Sequence, residues 1–183
     1  MVFRGRREQR REERRLSDRG GAARYRMRQK MFSIGDDYWI ENDSGERVFR
    51  VDGKALRIRH TLELEDTAGR RLLRIQSRML HVRDTMEIEG PDGRRRAVVR
   101  KALVTPFRER WKVDVEDGPD LEVQGNIVDH EYAIEADRRK VAEVSKKWFR
   151  VRDTYGVEID PGWDVPLLLA VTVAVESMAH PDR

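Results

Sequence analysis

Leu62-Glu63-Leu64-Glu65-Asp66-Thr67-Ala68-Gly69 is echoed by Met86-Glu87-Ile88-Glu89-Gly90-Pro91-Asp92-Gly93. In each stretch apolar and acidic residues alternate and then give way to a cluster that favours a tight turn. A period of two sends the apolar side chains to one face and the carboxylates to the other, the mark of a half-buried strand. Outward in both directions the same opening returns as Tyr38-Trp-Ile-Glu41, Trp111-Lys-Val-Asp114, Tyr132-Ala-Ile-Glu135 and Tyr155-Gly-Val-Glu158. A unit of 21 to 25 residues therefore repeats from Tyr38 to about Asp160. The close of the unit echoes too, in Arg59-His60-Thr61, Arg83-Asp84-Thr85 and Arg152-Asp153-Thr154. Self-similarity at a fixed period sets the architecture before any single element does.

A second strand follows most openings: Val48 to Val51, Leu72 to Ile75, Ala97 to Val99, Leu121 to Val123 and Val141 to Val144. The residues between, such as Asn42-Asp43-Ser44-Gly45, Pro91-Asp92-Gly93 and Asp117-Gly118-Pro119, tolerate tight backbone. Six such hairpin units predict about twelve antiparallel strands. A sheet of that size closes on itself, because open edges invite aggregation. Side chains alone fill a barrel of roughly eight strands, so a wider one needs a plug. The chain supplies a candidate. Asp164 is placed to cap a helix with Pro166 in its first turn, and Leu167-Leu-Leu-Ala-Val-Thr-Val-Ala-Val175 is apolar on every side. Such a helix is either buried or in a membrane. Val165 to Val175 is about 16 Å long at helical rise, short of a hydrocarbon core of about 30 Å. The reading is a mainly β protein: a closed antiparallel barrel of about twelve strands around a buried hydrophobic C-terminal helix, at about residues 164–179.

Only 38% of the residues are apolar and 39% are charged, so a core forms only if alternation gathers the apolar ones on one face. There is no cysteine, which removes disulfide and thiolate chemistry. The net charge of +4 is unevenly spread. Residues 1–30 hold twelve Arg and Lys against four Asp and Glu, and the remainder is net −4. Eleven arginines fall within the first 28 residues. A segment so poor in apolar partners is expected to form a disordered Arg-rich arm, set at residues 1–24, ahead of a barrel domain at 25–183. The arm suits anionic lipid or nucleic acid.

The stretch Tyr25-Arg-Met-Arg-Gln-Lys30-Met-Phe-Ser-Ile-Gly-Asp-Asp37 resembles the opening of the LURP-one-related proteins. The resemblance continues through Val51-Asp-Gly-Lys54, Gly125-Asn126, Asp129-His-Glu-Tyr132, Val144-Ser-Lys-Lys147-Trp-Phe and Arg152-Asp-Thr-Tyr-Gly156. It covers the chain from about residue 25 to the apolar helix. It implies a Tubby C-terminal-like fold, a closed twelve-stranded barrel around a hydrophobic helix, in agreement with the period. On function it implies less. Most family members have no assigned biochemical activity, and plant members are linked to defence. Tubby-like relatives bind phosphoinositide headgroups, and phospholipid scramblases are regarded as sharing the fold. No short motif carries the Tubby lipid-binding residues onto positions here.

No G-x-S-x-G elbow, P-loop, G-x-G-x-x-G fingerprint or H-E-x-x-H pair is present, so no catalytic residue, metal site or cofactor is expected. His60 reads as a turn residue. Asp129-His130-Glu131 reads as a polar strand connection, since a single imidazole lacks the further ligands a metal needs. Trp148-Phe149 sits within a basic cluster, but alternation would turn one of the two rings inward. Arg57, Arg59, Arg100, Lys101, Lys146, Lys147, Arg150 and Arg152 recur late in the second strand of the unit and beyond, as does Arg83. Phosphate recognition calls for convergent Arg and Lys, and these are the candidate residues for an anionic headgroup. The competing reading pairs them with strand carboxylates on a solvated surface. The functional expectation is a non-enzymatic binding module for anionic phospholipid headgroups, cytoplasmic and peripheral at a membrane. The alternative is a nucleic-acid-binding or protein-interaction scaffold driven by residues 1–24.

Overall fold

In the computed structural model, which describes residues 21–28, 38–53, 61–77, 85–102, 109–148 and 154–180, three turns are built alike. The N–H groups of Gly45, Gly69 and Gly93 donate to the carbonyls of Asn42, Asp66 and Gly90 at 2.9, 3.1 and 3.0 Å. Each glycine has φ near +78° (+79°, +77° and +77°), a left-handed conformation that costs a side chain but not glycine. Just before each turn the ladder slips by one residue, at Ile40/Glu41, Leu64/Glu65 and Ile88/Glu89, with a fourth slip at Ile134/Glu135. Such bulges sharpen the local twist, and their repetition bends the sheet in one sense until it closes.

The strands are β1 (Ala23–Arg28), β2 (Tyr38–Asn42), β3 (Arg47–Asp52), β4 (Thr61–Asp66), β5 (Arg71–Ser77), β6 (Thr85–Glu89), β7 (Arg95–Lys101), β8 (Glu109–Val115), β9 (Leu121–Asn126), β10 (Glu131–Ala136), β11 (Arg139–Ser145) and β12 (Thr154–Ile159). They pair antiparallel in sequence order, and β1 pairs with β12 to close a twelve-stranded barrel. The third residue of each repeated opening points inward and is fully buried: Ile40, Leu64, Ile88, Val113, Ile134 and Val157. Outside, carboxylates meet guanidiniums across the ladder. Arg50 reaches Glu65 at 2.8 Å, Arg74 reaches Glu63 at 3.2 Å and Arg24 pairs with Glu158. A barrel embedded in lipid would carry apolar groups at such outward positions.

Helix α1 (Val165–Ala179) fills the interior. Asp164 accepts from the Leu167 N–H at 3.0 Å, Pro166 lies in the first turn, and every residue from Leu167 to Ser177 is buried. Thr172 donates its hydroxyl to the Leu168 carbonyl at 2.9 Å, so it adds no unsatisfied group. Among the described residues no helix is long and apolar enough to cross a membrane.

The strand count agrees with expectation, but the twelfth strand comes from a different place. The sixth unit has no second strand: after β12 the chain turns at Asp160–Asp164 into α1. The gap is closed by β1, which precedes the repeat and aligns Ala23 with Ile159. Ala23 and Arg24, assigned to the arm at 1–24, thus belong to the first strand. Residues 1–20 lie outside the described residues.

Two substitutions test this packing. Leu168 is 1% exposed, and Leu168→Asp leaves an unpaired charge inside the barrel at a cost of about 3–5 kcal/mol. That is a large part of a typical domain's stability, so urea unfolding should show a mostly unfolded chain. An unchanged midpoint would refute the interior helix. Gly125 has φ +144°, and a Cβ there would lie 2.6 Å from the Glu131 carbonyl oxygen and from Tyr132 Cα. Because backbone cannot yield, Gly125→Ala should cost about 1–3 kcal/mol, read as a lowered melting temperature.

Candidate functional site

The interior is not wholly apolar. Asn126 and Asp129 bracket the turn between β9 and β10: the Asn126 amide donates to Asp129 Oδ2 at 2.7 Å, and the Asp129 N–H donates to Asn126 Oδ1 at 3.1 Å. Ile127 is buried, and the His130 N–H donates to its carbonyl at 3.0 Å. This turn holds His130 at φ +53° and buries it completely, while Asp129 stays exposed. Side chains of unusual backbone conformation are held there by their surroundings.

Inside, His130 meets the C-terminal turn of α1. His130 Nδ1 lies 2.7 Å from Glu176 Oε2, yet off the line a hydrogen bond needs, so neither atom gains one. His180, one turn beyond Glu176, brings Nε2 to 3.6 Å from the same oxygen. The other carboxylate oxygen accepts from the Tyr132 hydroxyl at 2.8 Å. The Tyr155 ring stacks on the His130 ring at 4.7 Å, nearly parallel. Burial, and then the nearby Glu176 charge, push the phenols of Tyr38, Tyr132 and Tyr155 well above their ordinary range. One carboxylate, two imidazoles and three neutral phenols thus share the end of the plug.

The basic candidates lie elsewhere. Arg100 pairs with Asp114 at 2.9 Å, and Lys101 pairs with Glu109 at 3.2 Å while its ammonium sits over the Trp111 ring at 5.4 Å. Glu131 gathers the Ser145 hydroxyl, the Lys146 N–H and the Lys147 ammonium, the last at 3.1 Å. Lys146 to Trp148 form a 3-10 turn rather than a strand, and Trp148 lies under the Arg24 guanidinium at 4.9 Å. Arg57, Arg59, Arg83, Arg150 and Arg152, with Phe149, lie outside the described residues. Three of the four described candidates therefore already have carboxylate partners. They are not gathered into one pocket, since the ends of β7 and β11 stand four strands apart around the barrel.

The model of the LURP-one-related family matches residues 23–176. The chain belongs to the LURP-one-related family. A solved X-ray structure of a protein from Arabidopsis thaliana has the same fold, with a TM-score of 0.65 at 14% identity over 87% of this chain and 92% of that one. No curated protein sequence matches the chain. The family match opens at the first residue of β1 and reaches Glu176, so it takes in the closing strand and all but the last three residues of the plug of this LURP-one-related barrel.

Two members of the buried cluster were missed in the sequence. Asp129-His130-Glu131 stood out, but its carboxylates are not the partners of His130. Those come from Glu176 and His180, across the barrel. The signal was there in plain form: Glu176 is the one charged residue of the helix, and His180 follows at the spacing of one helical turn.

The tyrosines make the cluster observable. A phenol whose folded pKa is raised contributes stability that is complete below the unfolded value of about 10 and is lost as pH rises through the folded one. The chain has four tyrosines, and only Tyr25 is partly exposed, with burial raising its pKa as well. An alkaline titration followed by phenolate absorbance should therefore show at most one ionisation before the barrel opens, with the others appearing together as circular dichroism is lost. Independent titration of several phenols in the folded chain would contradict this environment.

Proposed function

We propose that this LURP-one-related protein is a non-enzymatic binding module whose basic rim rests on an anionic membrane surface, peripherally and from the cytoplasmic side. The observation that carries the reading is an axial separation of charge. The short turns after β2, β4, β6, β8, β10 and β12 all lie at one end of the barrel. In sequence they hold three Arg against nine Asp and Glu. The links 29–37, 53–60, 78–84, 102–108, 127–130 and 146–153 join strand ends at the opposite rim, and hold eleven Lys and Arg against five Asp. The net charges are −6 and +6.

Six of the eight candidates, Arg57, Arg59, Lys146, Lys147, Arg150 and Arg152, belong to those basic links, and Arg100 and Lys101 close the strand that leads into one of them. Because they belong to the connections of different strands, and because Asp114, Glu109 and Glu131 partner Arg100, Lys101 and Lys147, a broad anionic plane suits the set better than one chelated headgroup. A polybasic surface gains about 1 kcal/mol per Lys or Arg near such a membrane. The arm is arranged differently. β1 begins at the acidic end, where Ala23 faces Ile159, so residues 1–20 join the barrel at the end away from the basic rim. Arm and rim are thus separable in experiment.

Sedimentation with vesicles of neutral lipid, with and without anionic lipid, tests the reading. The full chain should bind the anionic vesicles alone, and more weakly as salt rises. Lys146→Glu with Lys147→Glu should weaken binding by at least about fivefold per residue, while removal of residues 1–20 leaves β1 and most of the binding intact. If the deletion abolished binding and the rim variant did not, or if an oligonucleotide alone bound, the arm-driven alternative would replace this one.

A further inference from the structure

The cluster at the end of α1 is costly for a structure that could have placed leucine there. Glu176 is wholly buried, and an isolated carboxylate in an apolar interior is strongly disfavoured. It also sits in the last turn of a helix, where the backbone carbonyls already make the negative pole, and that turn carries no Lys or Arg. The site asks for positive charge. What faces it are two imidazoles.

We propose that His130, Glu176 and His180 are the ligands of a buried divalent metal ion of the zinc type, which fastens the C-terminal turn of α1 to the turn between β9 and β10. Their donor atoms all lie within 4.8 Å of one another. His130 Nδ1 and Glu176 Oε2 approach to 2.7 Å without the alignment of a hydrogen bond, and His180 Nε2 stands 3.6 Å from that oxygen. Atoms that approach so closely without bonding one another are placed to share a third partner. Two imidazole nitrogens and one carboxylate oxygen are a common donor set for zinc.

The surroundings orient the ligands as a metal site requires. Tyr132 holds Glu176 Oε1 at 2.8 Å, which leaves Oε2 turned to the imidazoles. Stacking on Tyr155 fixes the plane of His130. Outer contacts of this kind set ligand geometry. The hydroxyls of Tyr38 and Tyr155 are buried and make no hydrogen bond, so polar groups remain for a metal-bound water. A closed network without an ion would instead align an imidazole N–H with the carboxylate.

The test needs no vesicles, so it is independent of the rim. The full chain, freed of metal with a chelator, is titrated with Co2+ and Zn2+. About one ion per chain should bind, Co2+ should give visible absorption of a four- or five-coordinate site, and Zn2+ should displace it. Free zinc at roughly a hundred times its Kd should raise the melting temperature by about 5–10 °C. Glu176→Gln and His180→Gln should abolish the absorption, and Tyr132→Phe should weaken affinity by about 10–100-fold. His60→Gln with His81→Gln should leave it unchanged, which excludes the other two histidines. If the ligand variants fail to fold, the native chain still decides. No visible absorption with Co2+ and a melting temperature indifferent to zinc and chelator would overturn the proposal and leave an ion pair without a metal.

Discussion

Twelve strands enclose more space than their own side chains can fill, and that mismatch governs this molecule. Six identically placed inward residues, from Ile40 to Val157, leave an axis open. A helix buried on every side from Leu167 to Ser177 occupies it. Remove the helix and the barrel has apolar walls facing a void. Remove the barrel and the helix has no solvent-facing side. Each buries its apolar surface against the other, so the C-terminal segment is part of the core rather than an addition to it.

Plugging the barrel also decides how it closes. A sixth hairpin would have used the chain after β12 as its return strand, but that stretch is committed to the interior. The ladder of β12 is completed instead by β1, from the far end of the sequence. This explains which parts of the fold were legible. Hairpins are local, and their alternation, glycines and turn residues are all written within one unit. Closure pairs residue 23 with residue 159, a contact with no local signature. The strand before the repeat was accordingly read in part as an arm.

The sites follow the same division. The charge of the connections was legible as a list of residues but not as an axial separation, because the sign of each link matters only once alternate connections are known to follow strands that end at opposite ends of the barrel. Chelation of one phosphate would require such residues to converge, whereas the barrel order holds the ends of β7 and β11 apart. The buried cluster was hidden for a stronger reason. His130 is polar in a polar neighbourhood and invites a surface reading. Only the left-handed turn conformation at φ +53° sends it inward. Its partners lie on the plug, and a helix long enough to span the barrel is what carries them from the end where the chain enters to the end where His130 waits.

Charge ties these features together. Helix α1 starts at the end where the short turns hold nine Asp and Glu, and runs toward the end where β1, β3, β5, β7, β9 and β11 finish and the connecting sequence is rich in Lys and Arg, so each pole of the helix lies toward connections of opposite sign. The backbone dipole and the connection charges therefore favour the same orientation of the plug. Within the helix Glu176 runs against the dipole, placing a carboxylate where the last turn already presents carbonyls. Packing alone does not account for it, because leucine would suit the interior better. A residue that opposes both the hydrophobic interior and the helix dipole, held by a tyrosine and faced by two imidazoles, is placed for what it binds.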